Sequence, residues 1–458
     1  MVTTNPLARA VPWRIWYPLV KANTSSCRLL PVALALIVGC GATALAAPTP
    51  TGAGASSAVT DTSRWPRFRG PNGSGLSDAE IPAQWSEKDY NWKIGLPGGG
   101  HSSPVVWDDR IFLICGDEQT GEHMVVCVNA ADGSIRWVRK YPSSTYPHHQ
   151  YNSYASSTPA VDEKHVYVCW STPEELSVLA LDHDGKDVWT RGLGSFVSQH
   201  GGGQSPIVYQ NLLVLGDDNE GPQSFLFGLD RDSGNVVWQT SRGHSDKFSA
   251  STPCVLRPRH GEEQLVFASK AHGFTALEPR DGHVIWELNK VFDARTVSSP
   301  FIADGLIFGS CGDGPSGHAL VAARPGEDGA SATVAYDLHK SVPYVPTPIV
   351  KNDLLFYFTD NGVLTCAHAS SGKTVWKQRL DGNFFGSPVC ARDKIFILSK
   401  EGDVYAIAAA EKFELLAKNP LKLEESDVQQ PPLSSTPAIA GGRMYVHTYR
   451  HLVSVGGK

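Results

Sequence analysis

From about residue 90 onward the chain is written in short apolar runs of period-two character, broken by clusters of glycine, proline, aspartate, asparagine and serine. One stretch shows the grammar: "TPAV", then "HVYVCW", then "LSVLALD", then "HDGKDVWTRGL", between Thr158 and Leu193. Short alternating runs bounded by turn residues predict β-strands, and four in succession predict an antiparallel four-stranded sheet. Past the N-terminal region no segment sustains an apolar period of 3.6 residues, so the pattern predicts an all-β protein.

The four-strand pattern recurs. Ser-Pro or Thr-Pro followed by mostly β-branched residues appears at Pro104, Pro159, Pro206, Pro253, Pro300, Pro348, Pro388 and Pro437, at intervals of 55, 47, 47, 47, 48, 40 and 49 residues. Units of this length with four strands each are the blades of a β-propeller, and eight anchors predict eight blades of four antiparallel strands. The last unit, "STPAIAGGRMYVHTYRHLVSVGGK", supplies only three strands. The stretch "YNWKIGL" (90–96), just before the first anchor, holds a spare one. Strand 91–96 is therefore expected to complete the last blade and close the ring, which removes the open edge between first and last units.

A second anchor keeps step with the first. A tight turn is followed by tryptophan as Gly133/Trp137, Gly185/Trp189, Gly234/Trp238, Gly282/Trp286 and Gly372/Trp376, with Trp92 in the equivalent place on the spare strand. Units five ("ARPGEDGASATVAY") and seven ("AAAEKFELLA") lack the tryptophan. A large flat indole on an outer strand suits the wedge-shaped gap between neighbouring sheets, so these six tryptophans read as structural docking residues.

Composition refines this picture. Among 458 residues, 44 Gly, 31 Pro and 12 Trp against 3 Met fit many turns and short strands. Residues 1–46 differ: Arg9, Arg14, Lys21 and Arg28 stand without any acidic residue, and the apolar run "LLPVALALIVG" follows. That run is too short to span a bilayer and reads as a secretory signal. Two exits are open, cleavage after Ala44-Leu45-Ala46 or a lipobox "IVGC" ending at Cys40, whose side chain would carry lipid. Either places the protein outside the cytoplasm, as a soluble periplasmic chain or a membrane-anchored lipoprotein. Residues 47–63 are small and polar, a flexible linker; residues 64–89 are a lead-in strap; residues 90–458 are the propeller. Without the four leader cations the formal charge falls from -6 to -10, and no Lys/Arg run marks a nucleic-acid face. Seven cysteines follow the leader, with no CxxC and no adjacent pair, mostly inside apolar runs where thiols are small buried hydrophobes; Cys115 and Cys127, flanking one hairpin, leave a disulfide open.

The tryptophan-turn units resemble the pyrroloquinoline-quinone (PQQ)-type repeat of quinoprotein-like eight-bladed propellers. Among its members the chain most resembles the exported lipoprotein subunit of outer-membrane β-barrel assembly (BamB-like). That resemblance implies a monomeric, non-catalytic module that binds other proteins, possible partners being components of envelope assembly, with no cofactor. The family also implies a second reading, a PQQ- and Ca²⁺-dependent dehydrogenase of alcohols or sugars. No adjacent cysteine pair is present for it, and Asp246, Asp293 and Asp381 are the carboxylates nearest the positions its metal and base would need.

Candidate chemistry lies elsewhere than in the tempting matches. "GDGPSG" (312–317) sits between two strands with no following helix, so it is a loop rather than a dinucleotide site, and His148-His149 reads as an exposed loop pair without a metal partner. Polar stretches precede every Ser/Thr-Pro, and in a propeller such links converge on one mouth of the central channel. His101, Asn152, Tyr154, His200, Gln204, Lys247 and Arg295 are the expected lining, with the triple glycines before His101 and Gln204 permitting close approach to a ligand. The segment "RWPRFRGPNGSGLSD" (64–78) stands outside the repeat, with Trp65, Phe68 and Arg69 expected to strap it across the ring.

Overall fold

In the computed structural model, the described residues are 62–314, 316–423 and 432–457. The expected signal segment, with Cys40, and nearly all of the linker fall outside them. Eight antiparallel sheets follow one another along the chain: blade 1 over 105–141, blade 2 over 160–192, blade 3 over 207–243, blade 4 over 254–288, blade 5 over 301–338, blade 6 over 349–379, blade 7 over 389–420 and blade 8 over 438–456. The fourth strand of blade 8 is Tyr90–Gly95, paired antiparallel to His451–Gly456, so the ring closes as the strand count predicts, one residue earlier than 91–96.

Burial within a blade explains the text. In blade 1 the second and third strands, Arg110–Gly116 and His123–Asn129, are almost entirely buried, while the outer strand Ile135–Tyr141 is largely exposed. Strands covered on both faces by neighbouring blades must be apolar on both faces, which turns alternation into continuous runs.

The tryptophans work between blades, not within them. Trp137 of blade 1 lies against Gly185 of blade 2 and donates its indole N–H to His183 O at 2.9 Å. Trp189 does the same against Gly234 and Arg231 O (3.0 Å), and Trp238 against Gly282 and Pro279 O (2.8 Å). Trp92 on the closing strand takes Gly133 and Ala130 O (3.2 Å) of blade 1. Each glycine has φ between 70° and 82° and meets the ring so closely that a side chain there would overlap it. Trp286 departs from the scheme, donating to Gln264 Oε1 of its own blade at 3.0 Å.

Units five and seven are repaired by other residues. Tyr336 occupies the tryptophan position of blade 5, lies against Gly372 and donates to Ala369 O at 2.6 Å. In blade 7 the position is Ala417, and the lead-in segment brings Trp85 to that blade instead, packed against Phe396 at 5.9 Å with its backbone N–H on Asn419 Oδ1. Opposite each wedge within the sheet stands a small residue, Cys127 facing Trp137 and Cys366 facing Trp376, which gives two cysteines a packing role. All seven described cysteines are buried free thiols, so Cys115 and Cys127 do not pair.

The Ser/Thr-Pro anchors form a second closure, around the channel. The backbone N–H of Ser103 donates to the Thr158 hydroxyl, that of Thr158 to Ser205, Thr252 to Ser299, Ser299 to Thr347, Thr347 to Ser387, Ser387 to Thr436, and Thr436 back to Ser103, all at 2.9–3.1 Å. Seven of the eight blade junctions are bridged this way. The hydroxyl residue supplies an acceptor to the blade before it, and the proline after it opens the inner strand without needing a ladder partner. That is the physical reason for the dipeptide.

The lead-in segment crosses the channel. Arg64–Trp65 pair with Val106–Trp107 of blade 1, Pro66 O accepts Val161 N–H of blade 2, and Asn72 bonds both N–H and C=O of Val255 in blade 4. Leu76–Ser77 then add a parallel strand to blade 7 beside Cys390–Ala391. Phe68 is left facing the cavity above.

Candidate functional site at the channel mouth

The links into the inner strands and the turns between second and third strands meet on one face, around a cavity of about 590 Å³. Of the seven residues expected to line it, His101, Asn152, His200 and Arg295 do. Tyr154, Gln204 and Lys247 do not. Tyr154 packs its ring edge against His148, 4.7 Å between centroids, and donates to Tyr146 O. Gln204 is buried and its Oε1 accepts the Gly203 N–H. Lys247 stands at the rim, paired with Asp313 Oδ2 at 3.2 Å.

The lining is a mixture of fixed dipoles and aromatic rings. Asn152 donates to the carbonyls of His200 (2.5 Å) and Gly202 (3.0 Å), tying the blade 1–2 link to the blade 2–3 link. His149 stacks on His200 with centroids 4.8 Å apart, so the expected exposed histidine pair is divided: His149 lines the cavity and His148 faces Glu118 at 3.8 Å. Burial, and after it the positive charge of Arg295, pushes His200 down to about 4; burial followed by nearby His447 takes His101 down to about 3. Both imidazoles are neutral at pH 7. Arg295 is held by Glu220 (3.2 Å) and Asp313 (3.4 Å). Tyr151 reaches across to Phe385 of the blade 6–7 link, 5.5 Å between centroids, and the Lys400 ammonium lies 3.9 Å above the Phe385 ring.

Sequence reasoning missed Tyr151, Phe385, Asp360 and Lys400. The last two lie in the turns "TDNG" and "SKEG", where the second strand folds into the third. A propeller strand that starts at the mouth returns there after one hairpin, so these turns share the face with the links; that recurrence was the available signal. The triple glycines serve packing as well as access. Gly98 and Gly99 lie against Gly116 O and the Tyr449 ring with no room for a side chain, while Gly202 and Gly203 do border the cavity.

A quinone and its calcium would need a cluster of carboxylate and amide oxygens here, and none of Asp246, Asp293 and Asp381 lines the cavity. Asp246 is paired with Lys270 outside the cavity, and Asp293 and Asp381 are largely exposed on their side chains, at 75% and 103%. The carboxylates that do line it are already engaged: Asp313 by Lys247 and Arg295, and Asp360 by the backbone N–H groups of Tyr344 and Val345. Among the described residues no three His, Cys, Asp or Glu side chains are grouped to hold a metal ion.

Asp360 carries a pH consequence. Burial raises its carboxyl to about 6 although two backbone donors oppose the rise. Its folded pKa lies above the unfolded value of about 4, so its contribution to stability is complete below pH 4 and is lost as the pH rises through 6. The difference in melting temperature between wild type and Asp360→Asn is therefore expected to change steadily between pH 4 and 7. Thermal melts across that range check it, and parallel curves would refute the assignment.

Eight four-stranded blades wedged by aromatic rings, around a cavity closed below by its own lead-in segment, define an eight-bladed β-propeller of the PQQ-like repeat class. The chain belongs to the family described as "Outer membrane protein assembly factor BamB", whose sequence pattern matches residues 73–252, 125–309, 228–343 and 319–412. Outer membrane protein assembly factor BamB of Yersinia pestis is 24% identical over 346 residues, 72% of this chain and 78% of the relative. The protein of the same name from Escherichia coli K12 is 27% identical over 218 residues, 45% of this chain and half of its own length. Among solved structures, BamB from Moraxella catarrhalis has 14% identity and a TM-score of 0.55, covering 80% of this chain and 97% of that one. Quinohemoprotein alcohol dehydrogenase from Comamonas testosteroni has 12% identity and a TM-score of 0.58, covering 87% and 81%. At these identities the structural likenesses show the fold alone.

Proposed function

We propose that the chain acts outside the cytoplasm as a protein-binding scaffold in outer-membrane protein assembly. Family membership supports the direction of this reading, and the rim of the propeller supplies the observation that carries it. Among the described residues, every blade ends in an outer strand with no further strand beside it. On those strands Ile135, Val188, Val236, Val237, Val284 and Val334 are exposed, each between 41% and 47%. Unpaired backbone groups flanked by exposed β-branched side chains are a template for an added extended segment of another protein. The basic leader and apolar run support export.

Photo-crosslinking side chains placed at Val188, Val236 and Val284 test this in cells with an outer membrane. Adducts with an outer-membrane β-barrel precursor or with the assembly machinery support the scaffold. Correctly exported protein that forms none at all three positions overturns it, as does substrate-dependent dye reduction after addition of quinone and Ca²⁺.

A further inference from the structure

We propose that Arg67 and Arg69, carried into the channel by the lead-in segment, form a binding site for a small oxyanion, of the phosphate, sulfate or carboxylate kind, beneath the cavity floor. The two side chains flank Phe68 in sequence, and Phe68 lines the cavity. Both arginines are enclosed, 7% and 1% exposed. Each makes one hydrogen bond, Arg67 Nη2 to Pro253 O at 2.5 Å and Arg69 Nη2 to Pro348 O at 2.8 Å. Neither guanidinium has a carboxylate within ion-pair distance among the described residues, whereas buried Arg295 has two.

Three of their nitrogen atoms are unused: among the described residues Nε of Arg67, and Nε and Nη1 of Arg69, are buried without an acceptor. Burial draws the two side chains down to about 10 and about 9, Arg69 being further lowered by Arg67, yet both values leave the groups charged at pH 7. A buried ion without a counter-charge is strongly disfavoured, and a neutral amide would cap one carbonyl equally well. Capping Pro253 and Pro348 therefore explains one hydrogen bond each, and the Phe301 ring, 5.5 Å from the Arg69 guanidinium, turns a π face to that charge, but the charge of Arg67 and the spare fork donors are left unaccounted for. An oxyanion takes all of them, because guanidinium N–H pairs match two oxygens of one anion. The loop "GPNGSG" fits the arrangement: Gly73 and Gly75 have φ of 69° and 75°, and a side chain at Gly75 would come within 2.9 Å of Arg69 Nη2. Arg67 is bonded to blade 4 and Arg69 to blade 6, so one bound anion would tie the segment to both.

Full-length mature protein, purified without phosphate or sulfate, is titrated by calorimetry with inorganic phosphate, sulfate and acetate, and the acid-released supernatant is run on ion chromatography. The expected result is saturable binding near one equivalent, or one equivalent already bound, with a melting temperature several degrees higher when loaded. Preference for phosphate or sulfate assigns an inorganic oxyanion; preference for acetate assigns a carboxylate. Arg69→Gln, which keeps a donor for Pro348 O, should weaken binding at least tenfold, and unchanged binding there would overturn the site. If that variant does not fold, the wild type decides: no released anion and no saturable binding of any of the three ends the proposal.

Discussion

Trp238→Ala should lower the free energy of unfolding by about 3–5 kcal/mol, the range for removing a large aromatic from a packed interior. Trp238 is 6% exposed and is clamped on both sides. Within its own blade it faces Gly228, where a side chain would come within 2.2 Å of the indole; across the gap it rests on Gly282, where the distance would be 2.6 Å. Its N–H is spent on Pro279 O of blade 4. Truncation removes a body burying about 150–250 Å² and leaves a slot that rigid sheets on either side cannot close. Val237→Ala, one residue earlier and 47% exposed, should stay within about 0.5 kcal/mol. Urea unfolding of both variants measures the contrast. A Trp238 effect under about 1.5 kcal/mol would mean that the wedge is not what holds blades 3 and 4 together.

Ser103→Ala should destabilise by about 1–3 kcal/mol, the penalty for a buried backbone donor left without its acceptor. The hydroxyl of Ser103 accepts the N–H of Thr436, 333 residues away, and so joins the last blade to the first. The closing strand Tyr90–Gly95 makes the same junction at the rim, which means that the ring is fastened twice, near the axis and at the outside. Ser103→Thr keeps the acceptor and should restore most of the loss in thermal melts. Equal melting temperatures for Ser103→Ala and wild type would show that the inner bond adds nothing to closure.

Much of the fold was legible because a propeller repeats. Eight Ser/Thr-Pro anchors counted the blades, and the strand deficit of the last unit located its partner near residue 90. The wedges that sequence alone could not place are those made by unlike residues. Tyr336 replaces an indole while keeping a polar tip on Ala369 O, and Trp85 comes from outside the repeat altogether. Pairing of Trp92, Trp137, Trp189 and Trp238 with the glycine of the next unit, not their own, was equally hidden, since both offsets fit the same period.

The site was legible only in part. Links rich in polar residues pointed to the mouth, and His101, Asn152, His200 and Arg295 stand there. Tyr154, Gln204 and Lys247 belong to the same links but turn away, because a link of a dozen residues has side chains on several sides and its path depends on what it packs against. The loop of residues 142–157 crosses to the opposite side of the mouth, where Tyr151 meets Phe385 and Lys400. No pattern along the chain joins those three positions.

By itself the sequence determined the architecture: period, strand count, closure and the positions of the repeat tryptophans are local or periodic, and local propensity expresses them directly. Only the tertiary structure decided which side chains share the cavity, and that two arginines of the lead-in segment lie buried with no counter-charge among the described residues. Burial and pairing across 186 and 279 residues are properties of the closed ring, and electrostatics at that distance along the chain has no signature until the blades have come together.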